Sequence, residues 1–223
     1  ALNAVDPARQ SKQGIEDSIE KFRTQTLKGG HDKGDPELVA YLTENALGSV
    51  EWLESLGVKF KDEIGTATGA LWQRSHYPAT PSGNTYIRSF EEVIAKSGGA
   101  IEVLTDTSAT DLIEAEGRIA GVKAKHFGQN LTLNAKDGVV IATGGFGANV
   151  KLRQEVNTGV WKSVTLDNTI GCTNLQKAAQ GDGLKLAQKY GAALIGLDDI
   201  QLHPCGTPGT GLMENIRTSG RNR

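Results

Sequence analysis

The chain has 223 residues, 24 of them basic and 26 acidic, for a net charge of −2. That length can bury a real core in one large domain or two small ones, and the balanced charge gives no electrostatic footprint for nucleic acid. No apolar run approaches the roughly 18 residues a membrane span needs, and Ala1-Leu2-Asn3-Ala4 leads into polar sequence rather than a signal peptide.

Glycine is the compositional outlier, with 28 residues against a usual share of about 7%. The glycines sit at the ends of apolar segments, which reads as a globular chain with many tight turns. Cys172 and Cys205 form no CxxC or CxxCH pattern, which argues against structural zinc and covalently attached haem. Two free thiols suit a reducing compartment such as the cytoplasm; a periplasmic or cell-surface location stays open.

Residues 6–57 read as helical. A weak apolar pattern through Ile15, Ile19 and Phe22 ends at Gly29-Gly30, and Asp35-Pro36-Glu37 is a strong helix start, an N-cap followed by proline at the first helical position. Leu38, Tyr41, Leu42 and Ala46 then recur at helical spacing, followed by Val50, Leu53 and Leu56, until Gly57 stops the run. These are cover helices, with Trp52 and Leu53 expected in a core. Residues 57–85 are irregular, with Trp72, Arg74, His76 and Tyr77 among glycines and prolines. That composition fits a surface Ω-loop, although long loops with aromatic and basic residues also carry function. Residues 86–96 return to helix, with Ile87, Phe90, Val93 and Ile94 on one face.

A β pattern follows: short strands at 101–104 and 110–114, a turn at Glu116-Gly117, then alternating strands at 118–127 and 129–135. Consecutive strands with glycine turns make an antiparallel meander. The meander feeds residues 137–149, DGVVIATGGFGAN, whose β-branched run at 139–143 is expected to be a strand buried on both faces of a parallel sheet. Gly144-Gly145 at its C-terminal end clears side chains from the place where such sheets bind ligands. Residues 151–180 are polar and carry no clear pattern. Gly181-Asp182-Gly183 opens a helix that Gly191 stops, and residues 192–197 read as a strand. No internal repeat is present.

Three features could carry chemistry. The first is Thr143-Gly144-Gly145 after an apolar strand, and the second is Asp182 between glycines at a helix start, where backbone N–H groups favour an electron-rich partner. The third is His203-Pro204, whose imidazole could bind a carboxylate. Glu214 and Arg217 stand at i, i+3 and would pair on one helical face, either as an ordinary surface pair or as a proton path in a cleft. GxSxG, P-loop and HExxH motifs are absent. His31, His76 and His126 share no metal-ligand spacing, and no metal site is expected.

Asn3-Ala4, Lys28-Gly29-Gly30, Asp35-Pro36, Ser49-Val50-Glu51-Trp52, Arg74-Ser75-His76, Ala142-Thr143-Gly144-Gly145-Phe146, Gly181-Asp182-Gly183-Leu184 and Ile200-Gln201-Leu202-His203-Pro204 occur in that order. This ordered set resembles the flavoprotein subunit of the fumarate reductase/succinate dehydrogenase family. It is most similar to the soluble and flavocytochrome c-type fumarate reductases and their urocanate and acrylate reductase relatives. The resemblance covers essentially the whole chain. It implies an α/β fold with α+β features: the central part of a Rossmann-like FAD-binding domain at 1–198, with a β-meander and cover helices, and the start of a capping domain at 199–223.

The same resemblance implies FAD as cofactor. Asn3 and Ala4 would lie near the flavin, Ala109 by the adenine, and Thr143, Gly144 and Gly145 near the pyrophosphate. Asp182 and Gly183 would touch the cofactor. His203 would bind a substrate carboxylate, and Glu214 and Arg217 would belong to a proton relay. The implied reaction is reduction of the C=C bond of an α,β-unsaturated carboxylate such as fumarate, supplied by an electron donor or a haem or FMN module. A ketosteroid-type dehydrogenase and a catalytically silent cofactor-binding module are the alternatives. The protonating arginine of such enzymes would follow Arg223, and their GxGxxG strand would precede Ala1. The sequence is therefore expected to be an internal piece that binds FAD poorly and turns nothing over alone. Met213 where these enzymes carry threonine, Asp199 where an aromatic is common, and a slightly short His203-to-Glu214 interval make fumarate itself less secure than enoates as a class.

Overall fold

A computed structural model describes residues 1–67, 70–80, 83–172 and 178–202. It mixes helices and strands, as expected of the α/β class, in two compact units, Ala1–Val103 and Leu104–Arg223.

The first unit is built on helices. Strand β1 (Leu2–Asn3) leads to a short helix α1 (Pro7–Gln10), whose N-cap Asp6 accepts from the Arg9 backbone N–H. Helix α2 (Ile19–Gly29) starts at Ser18, whose side chain accepts from Lys21 N–H. Helix α3 (Pro36–Ser55) begins where Asp35-Pro36 places it: Asp35 Oδ1 accepts from Glu37 N at 2.8 Å and Leu38 N at 3.2 Å. Those bonds satisfy two of the N–H groups a helix start leaves open. The helix ends just before Gly57, which takes a φ of +93°.

Ala46, Val50 and Leu53 of α3 pack with Ala4, Val58 and Phe60 as the core, flanked by Phe22, Tyr86 and Phe90. Each fully buried aliphatic side chain there contributes about 1.5–3 kcal/mol. The apolar stripe is longer in sequence than in the core: Leu38, Tyr41 and Leu42 in the first turns stay exposed. Trp52 is also mostly exposed rather than in the core, its ring lying 6.2 Å from that of Phe90. Helix α4 (Asn84–Lys96) turns Phe90 to the core and leaves Ile87 in solvent.

The stretch between α3 and α4 is not only a surface loop. Strand β2 (Ser75–His76) pairs antiparallel with β1, matching Leu2 to His76 and Asn3 to Ser75, and Arg74, Ser75 and His76 are all buried.

The second unit carries the meander. Strands β3 (Thr107–Ala115), β4 (Arg118–His126) and β5 (Gln129–Asn134) form one antiparallel sheet in that order. Both connections put two consecutive residues at positive φ, Glu116-Gly117 and Phe127-Gly128, the two-residue geometry that matches strand twist. Residues 101–104 form no strand. Helix α5 (Val150–Glu155) lies in the stretch that carries no clear sequence pattern, and helix α6 (Asp182–Lys189) follows Gly181.

Two expected strands do not form ladders. Residues 139–143 and 192–197 pair with no described strand, and Val140 and Ile195 are 90% and 92% exposed. An apolar run states what a segment needs covered. A strand also requires a neighbour to hydrogen-bond with, and none of the described segments supplies one.

Candidate functional site

The second unit converges on residues 143–149 and 178–183. Gly181 N donates to Gly145 O at 3.1 Å, Ala148 N to Ala179 O at 2.9 Å, and Asn149 Nδ2 to Gln180 O at 3.0 Å. Gly181 adopts a φ of +76° and opens α6 without a side-chain cap. Behind it Gly183 is buried so tightly that an added Cβ would collide with Thr143 Oγ1 and stand 2.8 Å from Ile141 Cγ2. Glycine is thus what lets the start of α6 rest on the end of the 139–143 segment.

Arg153 fixes the other side of this turn. Its guanidinium is buried and donates to the carbonyls of Gly147 and Leu166 at 2.8 Å each, Ile170 at 2.7 Å, and Asp167.

Thr143, Asp182 and Gly183 line a cavity of about 540 Å³ with Ser108, Ala109 and Thr110 of β3, within the range of small-molecule and cofactor sites. Among the described residues β3 is an edge strand of its sheet, and its register slips between Ala109 and Asp111. Lys185 and Lys189 of α6 line the same space.

The far end of α6 is tied down as well: Lys189 Nζ lies 2.8 Å from both Asp111 carboxylate oxygens, and Tyr190 Oη donates to Asp111 Oδ1 at 2.8 Å. The bonds from Lys189, then Tyr190, hold the Asp111 carboxyl at about 2, below its usual range. Because this value is lowered by folding, the contribution is complete above the ordinary aspartate range and fades as pH falls through about 2. An NMR titration of Asp111 should find that low midpoint and see it rise toward the ordinary range in Lys189→Ala.

Gly144 takes a φ of +73°, and Gly145 does not need positive φ. A Cβ on either meets nothing within 4 Å. Among the described residues, neither conformation nor packing explains a glycine at 145. A bare backbone directly after the cavity-lining Thr143, a collision-limited helix start and an exposed carboxylate at Asp182 fit a bound nucleotide-type cofactor, whose hydroxyls donate to carboxylates and whose phosphates approach backbone N–H groups.

The sequence matches the family described as the FAD binding domain over residues 1–221. The chain belongs to that family. It is 38% identical over 212 residues to NADH:acrylate oxidoreductase of Vibrio harveyi, covering 91% of this chain and 20% of that protein. It is 33% identical over 227 residues to NADH:fumarate oxidoreductase of Klebsiella pneumoniae (strain 342), covering 98% of this chain and 23% of that protein. The open conformation of a flavocytochrome c3 fumarate reductase superposes with a TM-score of 0.81 at 27% identity, covering 99% of this chain and 38% of that one. The chain thus spans about a fifth to two-fifths of the length of these relatives.

For this FAD-binding domain, the structure brings Ala109, Thr143, Asp182 and Gly183 to one cavity, with Gly144 and Gly145 continuing the segment from Thr143. Asn3 and Ala4 lie in the first unit. Asn3 Oδ1 accepts from Ser75 Oγ at 2.6 Å, and Ala4 N donates to Arg74 O at 3.1 Å. Asn3 borders a separate cavity of about 380 Å³ with Gln25, Trp72 and Arg74. His203, Met213, Glu214 and Arg217 lie outside the described residues. Among the described residues no group of histidine, cysteine and carboxylate side chains could hold a metal, and no helix is long and apolar enough to cross a membrane.

Sequence reasoning missed the buried polar set around β2. Arg74 forms a two-pronged pair with Asp17, and His76 meets Asp6. Arg74-Ser75-His76 belong to a polar run that begins at Gln73 after Leu71-Trp72, and the surrounding glycines and prolines pointed to surface.

Proposed function

We propose that this protein is an FAD-dependent oxidoreductase that reduces the C=C bond of an α,β-unsaturated carboxylate. The observation that carries the reading is Gly145: a glycine required by neither φ nor packing, two residues after the cavity-lining Thr143, in a chain of the FAD binding domain family. The acrylate and fumarate oxidoreductases it matches along nearly its whole length support the substrate class.

In this reading Thr143, Gly144 and Gly145 offer backbone to the cofactor's phosphates, Asp182 accepts from a cofactor hydroxyl, and the exposed edge at Ala109 meets the adenine. Asn3 and Ala4 are assigned to the flavin ring. Bound FAD supplies hydride chemistry. His203 holds the substrate carboxylate, and Glu214 with Arg217 relays the proton toward the arginine that delivers it to the second alkene carbon. Residues 1–198 form part of a Rossmann-like FAD domain and 199–223 begin a capping domain. The electron donor is a nicotinamide cofactor or an attached haem or FMN module, in keeping with the names of the relatives.

The test uses the full-length protein reduced with dithionite and mixed with acrylate, fumarate and larger enoates. Return of the oxidised flavin spectrum with at least one enoate is expected; no reoxidation by any of them contradicts the reading.

A further inference from the structure

Behind the Asn3–Ala4 edge lies a cluster of six charged or titratable side chains. Asp6 at the N-cap of α1, Arg9 of α1, Asp17 before α2, Glu54 of α3, and Arg74 and His76 at β2 are joined by short bonds. The His76 ring is completely buried. Its Nε2 lies 3.1 Å from Asp6 Oδ2, while its Nδ1 lies 3.1 Å from Arg74 O and 3.4 Å from Leu2 O. Every one of those partners is an acceptor.

A neutral imidazole carries one N–H and would turn a lone pair toward an oxygen on its other side. The doubly protonated ring satisfies both. Charge balance points the same way: three carboxylates face two guanidiniums, Glu54 being a third exposed and the other two carboxylates buried, so the cluster is neutral only when His76 is an imidazolium. Asp6 is the acceptor rather than the acid. Burial pushes its carboxyl up, but Arg9, through side chain and backbone, and His76 together hold it below the usual carboxylate range.

The cluster is tied directly to the edge. Arg74 O accepts both Ala4 N and the His76 ring, Gln10 Oε1 accepts from Asp6 N at 2.8 Å, and Ser75 holds Asn3. We propose that His76 is a positioning residue, a doubly protonated clamp that fixes the Asn3–Ala4 edge and keeps the cluster behind it from carrying a net negative charge. This rests on the reading that Asn3 and Ala4 face the flavin. A net negative charge behind that edge would disfavour the reduced, more negative cofactor.

The experiment uses the full-length protein. Nitrogen NMR of histidine-labelled protein stripped of FAD should show both His76 ring nitrogens protonated near neutral pH. In the FAD-loaded protein, His76→Gln should shift the ratio of affinities for reduced and oxidised FAD toward the oxidised form by about threefold or more. Tyr86→Phe, a core change outside the cluster, should leave that ratio unchanged. Asp6→Asn serves as a second variant if His76→Gln does not fold; it removes a carboxylate instead of a cation and should move the ratio the other way, toward the reduced form.

An unprotonated ring nitrogen in the wild type overturns the proposal. So does an unchanged ratio in a folded variant whose FAD binding is intact, a result that leaves the flavin reading standing. A doubly protonated ring in a protein that takes up no FAD defeats the flavin reading and the role of His76 with it.

Discussion

Asp17→Ala is expected to destabilise the Ala1–Val103 unit by about 3–5 kcal/mol, the cost of removing one partner from a buried ion pair. The Asp17 and Arg74 side chains are 1% and 4% exposed. Arg74 Nε and Nη2 reach the two carboxylate oxygens at 2.7 and 2.6 Å, and its Nη1 donates to Gln25 at 2.7 Å. Without Asp17 the guanidinium stays in place with two donors unpaired and its charge uncompensated. Urea unfolding followed by circular dichroism reads the loss.

The same pair predicts acid sensitivity. Burial raises the Asp17 carboxyl, but Arg74, Gln10 and the Ser18 N–H lower it by more, so its folded value lies below the ordinary aspartate range. The unfolded chain therefore takes up the proton first. The stabilisation is complete above that range and drains away as pH falls through the folded value. Asp17→Asn should flatten this acid limb while keeping the side chain's volume.

Gly183→Ala should lower stability by about 1–3 kcal/mol, against the sign that helix propensity alone would give. Alanine ordinarily favours a helix. Here its methyl would strike Thr143 Oγ1, lie 2.8 Å from Ile141 Cγ2 and 3.1 Å from Thr143 Cβ, so α6 must back away from the segment that ends in Gly144-Gly145. Because Thr143, Asp182 and Gly183 border one cavity, the shift should also weaken FAD, by about tenfold or more in the full-length protein. Adding Thr143→Ala removes the hydroxyl in the way and should restore part of the stability. That non-additivity, measured by thermal unfolding, identifies the collision as the cause.

What could be read from the sequence was local. Asp35-Pro36 announces α3 because a capping carboxylate and a proline each act within one turn. Glu116-Gly117 sets the β3–β4 turn by its own backbone preference, and Gly181 and Gly191 bracket α6 in the same way. Features that depend on distant partners were not legible. Leu38, Tyr41 and Leu42 continue the apolar spacing of α3 yet lie beyond the core that Val50 and Leu53 enter. The run at 139–143 has the composition of a buried strand, but burial depends on what lies across from it. Arg74 and His76 look like loop residues until Asp17 and Asp6, roughly sixty to seventy positions earlier, are seen against them. At the candidate site, the motifs named Thr143, Asp182 and Gly183, the family resemblance added Ala109, and folding brings these four to one cavity. The lysines at its rim carry no sequence signal of their own.

Gly145 offers the most direct test of the cofactor site, because its side-chain space is empty and its backbone is unstrained. FAD content should be measured by absorbance on purified full-length wild-type protein and on Gly145→Val, with thermal unfolding as the control for folding. FAD bound to the wild type, and affinity weakened at least about tenfold in a variant of nearly unchanged stability, is the predicted result. A Gly145→Val protein that folds and holds FAD as tightly as the wild type would contradict it.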